Sequence, residues 1–274
     1  MVYKVGVLEM ITEQSASNSL DLIEVNIVAE HIALVTLNRP AARNAINAEM
    51  AQLLDDIVKK IEADDTIWVI ILTGSGDDVF CAGADLKAVS AGQAANLFTK
   101  QGFAGFVDAE RSKPWIAAVN GKALAGGCEI ALACDLILAT EFASFGIPEV
   151  SRGVLAAAGG LYRLPRALPR NVAIEMALTG ESISAKRAAE LGLVNSVVRD
   201  DLLSEAISLA RRITKNAPIA VRESLRIIKK VPDLNTNELR SLTTERRNRV
   251  AESNDYKEGP RAFIEKRAPR WTGV

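Results

Sequence analysis

The chain has 274 residues, of which 49% are apolar and 24% are charged, and its formal net charge is −1. This composition is typical of a globular protein with enough apolar material for one large domain or two modest ones. The near balance of 33 basic and 34 acidic residues gives no electrostatic reason to expect a nucleic-acid partner, so that class of function is set aside.

The cysteines and the apolar runs indicate the compartment. Three cysteines form an odd number without a C-x-x-C pair, which favours a reducing compartment over a disulfide framework or a zinc site. No run of 18 apolar residues occurs, and the first residues lack the charged start and cleavage site of a secretory signal. We therefore expect a soluble, cytoplasmic protein without a membrane segment.

A polar QSASNS segment suggests that residues 1–20 form a flexible extension.

The first predicted element after this extension is a hairpin that carries the only histidine. Leu22 to Val28 alternates apolar and polar residues, and Ile32 to Leu37 is rich in β-branched ones, which predicts two paired strands. With His31 alone at the hairpin tip, a Ser-His-Asp triad or a histidine-rich metal site is hard to build. We predict no metal site, and we expect carboxylates, lysines, hydroxyls or backbone groups to carry any chemistry.

A helix and a buried strand come next. Asn47 can cap a helix whose apolar residues recur at helical spacing up to Ile61. Ile67 to Thr73 is almost wholly apolar, as expected for a strand covered on both faces. The turn at 74–78 leads into Phe80 to Lys87 (FCAGADLK), and Ser90 to Gly102 has the small residues of a mobile segment. We expect residues 88–112 to line a substrate pocket.

The second half continues the alternation and then becomes helical. A strand at Trp115 to Val119, a helix at Gly127 to Cys134 and a strand at Leu136 to Ala139 follow one another. Later elements are predicted as a helix ending near Pro165 or Pro169, helices at 171–179 and 184–191, and a strand at Leu193 to Val198. From Asp200 onward the pattern is helical, with breaks at Pro218 and Pro232. The alternation predicts an α/β fold, with a core at 21–199 and a helical region at 200–274.

Two turns of small residues can supply backbone donors. Gly126 and Gly127 open an apolar helix, and N–H groups at a helix N-terminus lack intrahelical partners and attract negative charge. Ala84 lies in a second such turn, so the two together can bind an oxygen that becomes an oxyanion. Each turn alone is also explained by close packing. The glycine spacing does not fit a dinucleotide-binding or P-loop motif.

Two glutamates are candidates for acid and base chemistry. Glu129 lies in the first turn of the apolar helix, where its charge either stabilises the helix dipole or, if it is buried, has a raised pKa. Glu149 follows Pro148 in a turn and is either a solvent-facing residue at a helix start or a partner for Glu129. Two carboxylates in different environments can divide acid and base duties without a histidine.

Other conspicuous residues are interpreted as structural. The three tryptophans are expected to pack rather than to stack on bases. Basic residues at two places are expected to lie on solvated surfaces; these are Arg163, Arg166 and Arg170, and Arg246, Arg247 and Arg249.

With these residues placed, the chain resembles the crotonase family, also called the enoyl-CoA hydratase/isomerase superfamily, from about Leu22 to Trp271. Several segments in the right order carry the resemblance; they are NRPAARNA (38–45), FCAGADLK (80–87), PWIAAVNG (114–121), AGGCEIALACD (125–135), FGIPE (145–149), GG (159–160) and EGPRAFIEKR (258–267). The resemblance implies a spiral of repeated β-β-α units followed by a helical region for oligomerisation. It also implies a homotrimer or a dimer of trimers.

The resemblance also implies a role for each motif. The N–H groups of Ala84 and Gly126 match the two donors that bind a thioester carbonyl oxygen, and Glu129 and Glu149 match the glutamates that hold and activate water. Several residues match positions that contact coenzyme A; they are Ala82, Ala84, Asp85, Leu86, Lys87, Gly126 and, toward a neighbouring subunit, Lys266. Coenzyme A is part of the substrate, so no separate cofactor is expected.

The implied activity is that of a hydro-lyase in fatty-acid metabolism. It adds water to a 2-enoyl-CoA, with Glu149 giving a proton to C2 and Glu129 activating the water. Three alternatives stay open: a carnitinyl-CoA dehydratase, a Δ3,Δ2-enoyl-CoA isomerase that needs mainly Glu149, and a non-catalytic acyl-CoA-binding protein. One departure concerns the pocket, because Ala156-Ala157 replaces the Pro-Gly pair usual in hydratases, and the added methyl can narrow the space beside the water.

Overall fold

The computed structural model describes residues 22–274, and the predicted flexible extension at 1–20 lies outside them. Twelve strands occur in this described range; they are β1 (Ile23–Ala29), β2 (Ile32–Leu37), β3 (Val69–Gly74), β4 (Val79–Cys81), β5 (Phe98–Thr99), β6 (Gly102–Phe103), β7 (Trp115–Val119), β8 (Lys122–Leu124), β9 (Leu136–Thr140), β10 (Ser144–Gly146), β11 (Ile183–Ser184) and β12 (Ser196–Val198).

Ten α-helices occur in the same range; they are α1 (Ala48–Ala63), α2 (Leu86–Ser90), α3 (Gly126–Ala133), α4 (Gly160–Ala167), α5 (Arg170–Thr179), α6 (Ala185–Glu190), α7 (Leu202–Thr214), α8 (Pro218–Lys230), α9 (Thr236–Glu252) and α10 (Asn254–Ile264). The predicted α/β class, the hairpin at β1–β2 and the helical character beyond Asp200 are confirmed. As predicted, the Asn47 side chain accepts the Met50 N–H at 2.9 Å and caps α1.

The strands form two sheets that the chain visits in turn. The larger sheet has the order β1-β2-β3-β7-β9-β12, and the smaller one has the order β11-β10-β8-β4. Strands β3, β7 and β9 are parallel neighbours in the larger sheet, while β4, β8 and β10 are parallel neighbours in the smaller one. Each pass therefore places one strand in each sheet before the chain advances by one position, which is the expected spiral of β-β-α units.

Apolar runs explain why the central strands are covered on both faces. Strand β7 is buried along its whole length, and β3 is buried apart from Thr73. The main core lies on the side of the larger sheet that faces α1, α3 and the smaller sheet. On the opposite face, Trp68 and Ile71 belong to a second core with α7, which contributes Leu202 and Ala206. The first helix of the C-terminal region thus packs directly on the larger sheet; the division at residue 199 stays a prediction.

The segment between Ser90 and Gly102, which the small residues predicted to be mobile, contains regular structure. A 3₁₀ helix at Ala94–Leu97 leads into β5, which pairs with β6 in a separate two-stranded sheet. Leu97 and Phe103 are buried in the main core. These two apolar side chains attach the segment to the core.

Candidate active site

Helix α3 begins with a donor that its own backbone cannot satisfy. Gly126 is the first residue of the helix, so its N–H has no carbonyl one turn earlier to bond. Ala125 before it has φ 52° and ψ −130°, a strained conformation for a residue with a side chain. Because Ala125 N–H donates to Gly146 O at 2.9 Å, the strained residue is tied to β10. The chain therefore enters α3 at a fixed angle, with the Gly126 N–H at its tip.

The Ala84 N–H lies beside this tip. Ala84 forms a parallel bridge with Ile46, in which Ile46 N–H donates to Gly83 O at 2.8 Å and Asp85 N–H donates to Ile46 O at 2.9 Å. In such a parallel bridge the N–H of Ala84, the residue between Gly83 and Asp85, points away from Ile46. A Cβ added to Gly83 would lie 2.7 Å from the Gly126 nitrogen, so the two turns are in contact. The predicted donors are thus brought together.

Close packing requires glycine at both positions that open α3. A Cβ on Gly126 would lie 2.4 Å from a ring carbon of Phe103, and one on Gly127 would lie 2.0 Å from Cys81 O. These glycines therefore serve both close packing and hydrogen-bond donation. Because they lack side chains, α3 can begin in contact with β4 while its first N–H groups stay uncovered.

Glu129 is buried in the first turn of α3 and keeps one strong hydrogen bond. Its Oε1 accepts the Gly160 N–H at 2.8 Å, and only 2% of the residue is exposed. Burial raises the pKa of Glu129 to about 7; the Gly160 hydrogen bond opposes this rise and the charge of Glu149 adds to it. A carboxyl group with such a pKa exchanges protons readily near neutral pH.

Glu149 is the second buried carboxyl group and lies in the 3₁₀ helix Pro148–Arg152. It is 8% exposed, and its Oε2 has no hydrogen-bond partner within the described residues. Burial raises the pKa of Glu149, while its own backbone N–H and the charge of Arg152 oppose the rise. The solvent-facing alternative is therefore wrong, and Glu149 is close enough to Glu129 for each protonation state to affect the other.

The segment matched to coenzyme A contact is braced by the NRPAARNA loop. Asp85 caps α2 by accepting the Lys87 N–H at 3.0 Å, and its other oxygen pairs with Arg39 Nη2 at 3.1 Å. Ala82 N–H donates to Arg43 O at 3.1 Å. Beyond this bracing, Leu86 and Lys87 are exposed. Sequence reasoning did not assign a role to Arg39, which holds the segment in place.

Lys266 lies elsewhere in this chain. It follows α10 with a φ of 53° and is exposed. Helix α10 packs against α9, and the Lys266 N–H donates to Phe263 O at 3.2 Å at the end of α10. The expected contact with a neighbouring subunit stays a prediction.

Two contributors to the site were missed by sequence reasoning. Gly160 was noticed only as part of a motif, although its N–H holds Glu129 from 31 residues away. Arg163, expected on a solvated surface, is largely buried and donates to Ala158 O at 3.0 Å and to Val107 O at 2.5 Å. That expectation is wrong because α4, at eight residues, is packed between α3 and α5.

A second arginine assignment also fails. Arg246 has only 17% of its side chain exposed, because it turns toward the buried Glu223 of α8. In contrast, Arg166 is about half exposed as expected. Arginines at similar sequence spacing therefore have different environments, which the spacing alone does not distinguish.

Two other assignments concern the Ala156-Ala157 pair beside the pocket and the histidine. Ala156 is buried, whereas Ala157, which stands where the usual Pro-Gly pair has its glycine, is exposed, so the added methyl group does not lie in the core. The His31 ring stacks on Trp68 with centroids 3.6 Å apart, and its Nδ1 lies 2.7 Å from Thr66 O. These contacts give the histidine a structural role at the hairpin tip.

Among residues 22–274, no group of three metal-binding side chains comes together. No helix in this range combines the length and the apolar character of a membrane span.

This geometry agrees with the comparison to known proteins. The family model for enoyl-CoA hydratase/isomerase matches residues 28–274, and the chain belongs to this family. The resemblance drawn from the motifs is thereby confirmed.

Among its relatives, the chain is similar to the carnitinyl-CoA dehydratase of Proteus mirabilis, with 39% identity over 87% of this chain and 94% of the relative. It is also similar to the mevalonyl-coenzyme A hydratase of Aspergillus fumigatus, with 40% identity over 90% and 93%. The crystal structure of an enoyl-CoA hydratase from Mycobacterium tuberculosis superposes with a TM-score of 0.88 at 44% identity, covering 93% of this chain and all of that one. These matches confirm the fold and the enzyme class.

Proposed function

We propose that this enzyme adds water across the 2,3 double bond of a 2-enoyl-CoA thioester to give a 3-hydroxyacyl-CoA, by means of Glu129 and Glu149. Its relatives support an enoyl-CoA hydratase-like, hydro-lyase function. The observation that carries the proposal is the burial of both glutamates, with Glu129 in the first turn of the helix that Gly126 opens and with its pKa raised by that burial and by the charge of Glu149.

The donors polarise the substrate. The N–H groups of Ala84 and Gly126 bind the thioester carbonyl oxygen, where negative charge accumulates as the double bond is attacked. Donors fixed by backbone geometry need no rearrangement during the reaction, and each is worth roughly 10²–10³-fold in rate. The bridge at Ile46 and the strained Ala125 supply this fixed geometry.

The glutamates divide the proton transfers. Glu129 removes a proton from a water molecule while the oxygen of that water attacks C3, and Glu149 delivers a proton to C2. The Gly160 N–H favours the ionised form of Glu129, which suits a base. Burial favours the neutral form of Glu149, and its unpartnered Oε2 suits an acid that is in contact with substrate.

Coenzyme A contributes remote binding energy that positions the short reactive end. We propose that it lies along residues 82–87, which Arg39 braces, and that Lys266 of a neighbouring subunit reaches it in a homotrimer or dimer of trimers. No separate cofactor enters the reaction. We further propose that the enzyme acts in cytoplasmic fatty-acid metabolism, without a nucleic-acid or membrane partner.

A second candidate is dehydration of a carnitinyl-CoA, which uses the same groups in reverse. The similarity to the Proteus mirabilis carnitinyl-CoA dehydratase favours it. Isomerisation and binding without turnover are less well supported, because neither requires a buried Glu129 held by Gly160.

The test follows loss of the conjugated-thioester absorbance for a panel of 2-enoyl-CoA thioesters, with carnitinyl-CoA run in the opposite direction. Wild type should hydrate at least one thioester, and Glu129→Gln and Glu149→Gln should each lower kcat by about 10²–10⁴-fold. Glu175→Gln, at an exposed position on α5, should leave kcat unchanged and is the matched control. A wild type that binds the thioesters but turns over no faster than either variant would overturn the proposal.

A further inference from the structure

Arg163 joins two parts of the site that are distant in sequence. Its Nη1 donates to Ala158 O at 3.0 Å, and its Nη2 donates to Val107 O at 2.5 Å and lies 3.3 Å from an oxygen of Asp108. With 21% of the side chain exposed, the guanidinium group is shielded from water on most sides. A planar fork can hold two carbonyl groups in fixed directions, which a single ammonium group cannot.

One end of this bridge supports Glu129. Ala158 O accepts from Arg163 two residues before Gly160, whose N–H holds the Glu129 carboxylate at 2.8 Å. Between them, Gly159 has φ +110°, and a Cβ there would lie 1.8 Å from Arg163 Nη1. The glycine therefore leaves the space that the guanidinium group fills, and the arginine fixes the loop that aims the Gly160 N–H.

The other end supports the oxyanion donor. Val107 N–H donates to Phe103 O at 3.3 Å, and the Phe103 ring packs against Gly126. Arg163 thus fastens the loop behind Glu129 to the segment whose ring packs behind the Gly126 N–H. These contacts connect Arg163 at one end to Glu129 and at the other end to Gly126, both of which we place in the reaction.

We propose that Arg163 is a positioning residue for hydration, which sets the orientation and the ionisation of Glu129 without touching the substrate. This inference rests on the proposed function. The charges that face Glu129 are those of Glu149, on the 3₁₀ helix, and of Arg163, on α4. The arginine favours the ionised carboxylate and Glu149 opposes it, so removal of the arginine charge moves the balance toward the neutral acid.

The experiment compares Arg163→Gln and Arg163→Lys with wild type, and uses Arg166→Gln as the matched control. Arg166 lies on the same helix, but it is half exposed and pairs with Asp233 at 3.4 Å. Three quantities are measured: kcat and KM for an enoyl-CoA substrate across pH, the ¹³C carboxyl titration of Glu129 with Glu129→Gln to assign the signal, and the circular dichroism spectrum.

Arg163→Gln should lower kcat about tenfold or more with KM within about twofold, since misplacement of catalytic groups by about 1 Å can cost 10²-fold. Its Glu129 titration and the acidic limb of kcat should move to higher pH. Arg163→Lys keeps the charge but loses the fork, so it should lower kcat while leaving the titration near that of wild type. Arg166→Gln should change none of these.

The proposal is wrong if Arg163→Gln titrates like wild type, or if Arg166→Gln produces the same losses. Should Arg163→Gln fail to fold, Arg163→Lys still decides, because an unchanged kcat in that variant contradicts the positioning role. If wild type does not hydrate any thioester, the proposed function fails, and the Glu129 titration in Arg163→Gln alone decides whether Arg163 sets its ionisation.

Discussion

At the scale of single residues, the environment of Glu129 combines opposing influences. Burial disfavours its charged form, and the neighbouring Glu149 adds to that effect, whereas the Gly160 N–H and the Arg163 guanidinium group favour the carboxylate. The result is a pKa raised from 4.5 to about 7. Near that pH a carboxylate is both populated and basic enough to take a proton from water.

The pH dependence follows from this shift. Because Glu129 must be ionised to accept a proton, kcat should fall as the pH drops through about 7. This acidic limb of the pH–rate profile belongs to the coupled pair of Glu129 and Glu149.

The stability of the folded state should change with pH in the opposite sense. The raised pKa means that the folded state binds the proton of Glu129 more tightly than the unfolded state does. The protonated carboxyl group therefore adds to the free energy of unfolding below about pH 4.5, and this contribution is lost as the pH rises through about 7.

These effects are measured from pH–rate profiles and from thermal unfolding midpoints between pH 5 and 8. Glu129→Gln should flatten part of the pH dependence of the midpoint, because glutamine does not titrate. A wild-type rate that stays constant down to pH 5 would contradict the assignment of Glu129 as the base.

At the scale of elements, the start of α3 depends on what its neighbours allow. The helix contains only eight residues and begins after a strained Ala125, so packing rather than helix propensity fixes its position. Gly127 lies against β4 at Cys81, and Gly126 lies against the ring of Phe103. The donor of the oxyanion site is thus positioned by two contacts that leave no room for a methyl group.

Gly126→Ala tests this packing. The added Cβ would clash with the Phe103 ring at 2.4 Å, so either the ring or the helix start must move. We expect kcat to fall by about 10²–10³-fold through displacement of the donor, with a loss of about 1–3 kcal/mol in the free energy of unfolding. Gly126→Ala combined with Phe103→Leu should recover part of both losses, as measured by hydration kinetics and urea unfolding. Equal activity of the single and double variants would show that Phe103 does not position the donor.

The loop at 38–45 is a second element whose role the motif alone did not reveal. Asn44 is fully buried with a φ of 53°, accepts the Arg39 N–H at 2.9 Å, and donates to Ser75 O and Val79 O at 2.9 Å each. It joins the loop to the turn between β3 and β4, while Arg39 extends from the same loop to Asp85. The conformation of residues 82–87 therefore depends on a loop forty residues earlier.

At the scale of the molecule, successive β-β-α passes deliver functional groups to the same region. The pass through β4 ends at Ala84, and the pass through β8 ends at Gly126 and Glu129. The pass through β10 ends at Glu149. Because β4, β8 and β10 are adjacent parallel strands, the groups that follow their carboxyl ends meet. The site is a consequence of the spiral.

Much of this arrangement was predictable from local patterns. Apolar runs located β3, β7 and β9, and the apolar neighbours of Glu129 marked that carboxylate, whereas Glu149 was matched through the family resemblance as its partner. The unpredicted parts are contacts between distant residues. The Gly160 bond to Glu129 spans 31 residues and the bond from Arg163 to Val107 spans 56, so no local period reveals them. The arginines at 163, 166 and 170 looked equivalent because their spacing resembles one helix face, whereas tertiary packing buries the first.

The central claim, that the paired glutamates add water to a carbon–carbon double bond, is tested most directly by mass spectrometry of the product formed in D₂O. A 2-enoyl-CoA substrate is incubated with wild type, Glu129→Gln or Glu149→Gln, and the product is returned to H₂O before measurement. We predict that wild type yields a product heavier by one water molecule that retains one deuterium at C2, and that neither variant forms it at a comparable rate. A product with the mass of the substrate, with or without deuterium, would contradict hydration.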